Sequence, residues 1–169
     1  MRKTWIAALT VPMAVAALAS PASAETKAPP NQQMTITFDA ANPSAAGTVV
    51  ATGPISGSGT ATTSKHHHAG PAHFDANLLT FSSGTVKVRD LHSRGSRKVD
   101  SSTCIATQSG KGGFAITGGT GGYAKAKGRG HFTLTATLQG THDSTAKHGC
   151  SFKTVTGSVV ITASGHVTV

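Results

Sequence analysis

The chain reads as an all-β protein folded into a small barrel behind a cleaved leader, and three observations lead there. Apolar residues alternate with threonine, serine and lysine in short runs, the period of two that a half-buried strand imposes. No window carries a capped helical period. Glycine, threonine and serine abound while glutamate and leucine are scarce, a composition that disfavours helix. Gly57, Gly59, Gly128 and Gly130 fall in or beside these runs, where the strands of a closed barrel must coil sharply.

Residues 1–24 have the build of an export signal. Arg2 and Lys3 supply the positive start, an apolar stretch from Trp5 to Leu18 follows, and Ala22-Ser23-Ala24 offers small residues for cleavage. Thr10 and Pro12 interrupt that stretch, which is too short for a membrane anchor, and no later segment is long or apolar enough to span a bilayer. Cleavage after Ala24 is expected, leaving 145 of the 169 residues as a secreted, extracellular chain. It removes the sole tryptophan, Trp5, and lowers the net charge from +9 to +7. Residues 25–33, with Pro29-Pro30, read as a flexible polar linker, and residues 34–169 as one barrel domain.

The strands follow in order. Met34, Ile36 and Phe38 alternate with Thr35, Thr37 and Asp39. Segments 47–52 and 55–63 come next, the second bent by Gly57 and Gly59. Segments 78–81 and 85–91 flank Ser82-Ser83-Gly84, a hairpin turn. Further strands are expected at 103–108, 113–117, 131–139, 152–156 and 159–169. Between the seventh and eighth of these, Thr117 to Gly122 form a turn that needs a backbone free to take positive φ. Cys104 and Cys150, an even pair in an exported chain, are expected to form a disulfide. A zinc site using both thiolates would lack the C-x-x-C spacing.

The run Phe114-Ala-Ile-Thr-Gly-Gly-Thr-Gly-Gly-Tyr123, continuing through Ala124-Lys-Ala-Lys-Gly-Arg-Gly130, resembles the barrel superfamily of allene oxide cyclases and dirigent proteins, and its small exported bacterial members most closely. Thr48 to Gly59, Gly84 to Val88, the two cysteines and Gly157 to Ile161 fit the same pattern, so the resemblance covers most of residues 34–163. It implies an eight-stranded antiparallel, calycin-like barrel whose lumen holds a small apolar molecule, steering its cyclisation or isomerisation without a cofactor. The matching motif is a structural turn, and it does not place the superfamily's pocket acids or arginines on this chain residue by residue. The resemblance therefore implies the fold and leaves any catalysis open.

Candidate site residues follow from the alternation. Val86, Val88, Phe114, Ile116, Phe132 and Leu134 point inward and would line or fill the lumen. Asp90 and His92 continue the face of Val86 and Val88 if the strand stays regular, which would set a carboxylate beside an imidazole at the barrel mouth, an acid/base or orienting pair. The alternative is a strand ending near Asp90 with both groups hydrated. His66, His67, His68 and His73 crowd one loop, and neutral imidazoles suit zinc, copper or nickel; a solvated loop that charges in acid is the competing reading.

Lys87, Arg89, Arg94, Arg97 and Lys98 form one basic group and Lys125, Lys127 and Arg129 another. They predict non-specific affinity for anions or an acidic envelope polymer. Specific nucleic-acid recognition is not expected, because almost no aromatic residues stand among the cations for bases to stack on. Other classes find little footing. Gly119-x-Gly121-x-x-Ala124 lacks the helix that a dinucleotide fingerprint needs, no G-x-S-x-G elbow occurs, and the few aspartates are scattered. The role expected is a lumen that binds a small apolar molecule; the alternative is a non-catalytic envelope or extracellular protein that binds polyanions through its basic face or metal through its histidine loop.

Overall fold

A computed structural model describes residues 30–42, 44–63 and 76–169. Within it, eight antiparallel strands close into an up-and-down barrel: β1 Gln32–Asp39, β2 Gly47–Thr52, β3 Gly57–Thr63, β4 Ala76–Phe81, β5 Gly84–Asp100, β6 Ile105–Gly119, β7 Lys127–His142 and β8 Cys150–Thr168. Each strand pairs with the next, and β1 pairs with β8 from Gln32 opposite Gly165 to Asp39 opposite Ser158, which leaves no free edge around the barrel proper. The expected leader, the start of the linker and the histidine loop lie outside the described residues. No helix among the described residues is long and apolar enough to cross a membrane.

Alternation sets the two faces. Met34, Ile36 and Phe38 are buried while Thr35, Thr37 and Asp39 are exposed, and Phe132, Leu134 and Ala136 behave likewise between exposed neighbours. Phe114 is the largest fully buried side chain. Gly130 and Gly165 occupy the inward positions beside it; a Cβ at Gly130 would lie 2.1 Å from the Ser164 carbonyl oxygen and 2.7 Å from the Phe114 ring. The glycines let the ring fill the barrel.

One end of the barrel is sealed. The Gln32 side chain is fully buried, donating to the carbonyls of Thr52, Ile55 and Gln33 and accepting from the Ile55 amide at 2.9 Å. It ties the start of β1 to the loop between β2 and β3, so the barrel begins inside the segment expected to be linker. Tyr123, in the 3-10 turn between β6 and β7, packs edge-on to Phe81 with ring centroids 5.8 Å apart and donates to the Ser56 carbonyl.

The strands differ from the expected ones in length. Segments 103–108 and 113–117 belong to one strand, as do 152–156 and 159–169, and β5 runs nine residues beyond Leu91. Ser109-Gly-Lys-Gly-Gly113 has the composition of a turn, yet both of its neighbours hold it extended: Gly110 lies opposite Gly95 on one side and Leu134 on the other. The far halves of β5 to β8 extend beyond the short β1 to β4. At their tip the Cys104–Cys150 disulfide joins the β5–β6 turn to the start of β8.

Candidate functional site: a lumen, a basic groove and a disulfide tip

The interior is almost full. Val86, Leu79, Val49 and Ala61 have no exposed surface, and Val88, Phe114, Ile116, Phe132 and Leu134 are buried in the same core. What remains is a cavity of about 30 Å³ lined by Met34, Ile36, Leu79, Val88, Asp90, Phe114, Phe132, Ile161 and Ala163. That is room for a water or two, since one needs roughly 10–15 Å³ by this measure. Pockets that enclose small organic ligands measure roughly 300–1,000 Å³. Asp90 is half-buried and is the charged group among the described residues on the cavity wall.

His92 holds a register position on β5, and its side chain lies outside the described ones. β5 does not stay regular: its register on β6 shifts between Asp90 and His92, so that Asp90 stands opposite Phe114 and His92 opposite the adjacent Gly113. The extra residue is Leu91, a bulge that inverts the alternation. From there on, the even-numbered positions of β5 pair with outward positions of β6. Regular alternation therefore does not run through this part of β5.

The same inversion builds the outer face. Arg94 lies directly opposite Lys111, and Lys111 opposite Thr133. One row along, Gly113 lies opposite His131, and the next row sets Arg89 opposite Ala115 and Arg129. Lys87, Arg89, Arg94, Lys111, Lys127, Arg129 and His131 are all exposed. Arg97 leaves this set: it has the opposite alternation, and its guanidinium sits 4.5 Å above the Phe152 ring. Of the described acids, Asp39 is on β1, Asp90 faces the interior, and Asp100 and Asp143 stand at the far tip.

The rows enclose a groove of about 420 Å³ lined by Arg94, Lys111, Gly112, Gly113, His131, Phe132 and Thr133. Gly112 and Gly113 form a floor without side chains, and the cations stand at its walls. Arg94 and Lys111 are like charges on directly opposite cross-strand positions, an arrangement that destabilises a sheet by a few tenths of a kcal/mol up to about 1 kcal/mol. Lys111 and His131 escape a sequence reading that looks for clustered cations, because only strand register brings them to Arg94.

At the tip, Asp100 accepts hydrogen bonds from the amide and hydroxyl of Ser102 at 2.9 and 2.7 Å, and Asp143 accepts from those of Thr145 at 3.0 and 2.6 Å. These bonds, the hydroxyls first, hold both carboxyls below the usual aspartate range. His142 brings Nδ1 to 3.5 Å from the Cys104 sulfur, a neighbour that no spacing in the sequence announces.

Fold and disulfide define the class: a closed, eight-stranded antiparallel β-barrel with a disulfide-linked extension. No family model, curated protein or solved structure matches the chain. The likeness to allene oxide cyclase and dirigent barrels stands on residues 114–130 and the shorter matching segments alone.

Proposed function

We propose that the chain is a secreted, non-catalytic protein that attaches to an acidic polymer of the cell envelope through the outer face of β5, β6 and β7. The groove walled by Arg94, Lys111 and His131 carries this reading, because like charges set opposite one another, with no acid among the described residues that line the groove, favour an anionic occupant. Hydroxyls of Thr133, Thr162 and Ser164 border the cations and suit the oxygens of a glycan or polyol-phosphate chain. Phe132, the aromatic among the groove's lining residues, is buried and offers bases no exposed ring to stack on, which argues against nucleic acid. The test is retention on isolated wall material. Release by about 1 M salt, where the Debye length falls to roughly 3 Å, is the expected result; attachment indifferent to salt contradicts it.

A second reading keeps the lumen as the working site, favoured by an apolar cavity with one carboxylate on its wall. A small apolar molecule could enter only if Phe114, Phe132 and their neighbours moved, and any cyclisation or isomerisation would then rest on steric and electrostatic guidance without a cofactor. Native mass spectrometry of protein from its own medium separates the two readings. An organic adduct that survives desalting supports the lumen, and a bare chain supports the outer face.

A further inference from the structure

The disulfide tip holds a ligand set that the barrel does not otherwise use. The sulfurs of Cys104 and Cys150 and a ring nitrogen of His142 all lie within 4.8 Å of one another. They come from three places in the chain, the β5–β6 turn, the end of β7 and the start of β8, and the sheet register holds them together. Tetrahedral zinc with Zn–S near 2.3 Å and Zn–N near 2.0–2.1 Å spans roughly 3.6 Å between a sulfur and a nitrogen, and roughly 3.8 Å between two sulfurs. The His142 Nδ1 to Cys104 Sγ distance of 3.5 Å already meets the first of these spans. Both cysteines are buried while His142 is exposed, so the set opens to solvent on the histidine side alone.

We propose that this tip is a redox-gated site for a zinc-type divalent ion, closed as a disulfide and open as a Cys104, Cys150 and His142 triad with water in the fourth position. An external dithiol delivers two electrons and two protons to the Cys104–Cys150 bond and becomes a disulfide itself, leaving two protein thiols. One divalent ion then displaces the two thiol protons to solvent and takes neutral His142 as its third protein ligand. A disulfide-bearing oxidant reverses the sequence, takes back two electrons and expels the ion. This site is independent of the basic groove.

Cobalt(II), which reports thiolate ligation by its absorption, is added to the mature protein either oxidised or reduced with a phosphine. The expected result is one cobalt per reduced chain with a thiolate-to-cobalt band, and no such band in the oxidised protein. His142→Ala, whose oxidised form is checked for an intact barrel by circular dichroism, should weaken uptake by roughly tenfold or more, since one of three protein ligands is gone. The histidine loop cannot imitate the signal, because imidazoles alone give no thiolate band. Absence of the band in reduced protein, folded or not, overturns the proposal, as does unchanged affinity in His142→Ala.

Discussion

Gln32 is the one polar side chain among the described residues that is fully withdrawn from water, and it satisfies itself with four hydrogen bonds. Gln32→Leu would keep the bulk and strand those partners, so it should cost about 2–3 kcal/mol in a denaturant melt. Gly130→Ala would drive a methyl against the Ser164 carbonyl and the Phe114 ring, and the same melt should show a loss of about 1–3 kcal/mol. Much at this scale was legible beforehand: strict alternation placed Val86, Val88, Phe114, Ile116, Phe132 and Leu134 in the core, where they are found. The break in alternation between Asp90 and Arg94 was not. A single bulged residue, Leu91, inverts the face, and nothing in its side chain distinguishes it from a residue of a regular strand.

At the scale of elements, the tip is held by one covalent bond and two hydrogen-bonded aspartates. Replacing both cysteines by serine removes a link across 46 residues, and the chain-entropy model gives a loss of about 4 kcal/mol, read as a lowered melting temperature against wild type. The aspartates add an acid-sensitive part. Their folded pKa values lie below the ordinary value, so their stabilisation is present above the unfolded pKa and disappears as pH falls through the folded one. Hydrogen exchange in the β5–β6 and β7–β8 turns should therefore quicken below about pH 4, given an ordinary aspartate near 3.9, while the barrel core stays protected. An Asp100→Asn, Asp143→Asn variant should lose that dependence. The strands themselves were legible wherever β-branched and aromatic residues alternate. They were not where serine, glycine and charged residues dominate 92–100 and 109–112, because long-range pairing and not local preference keeps those stretches extended.

For the molecule as a whole, the decision lies between a full interior and an open, basic exterior. The composition made the barrel legible, and the glycine motif agrees with its strand count, but neither could say how much of the lumen the side chains would occupy. That depends on where Phe114 falls relative to Gly130 and Gly165, a matter of register between strands distant in sequence. Likewise the cations could be counted, while their convergence on one groove required the β5 bulge and the pairing of β6 with β7. Calorimetric titration of dextran sulfate, a soluble acidic glycan, into wild type and an Arg94→Ala, Lys111→Ala variant at two salt concentrations tests this claim most directly. Two exposed cations at about 0.5–1 kcal/mol each imply a loss of affinity of roughly tenfold in the variant at low salt, with the difference shrinking at high salt. Equal affinity of the two proteins at low salt would contradict the assignment of the groove as the binding site.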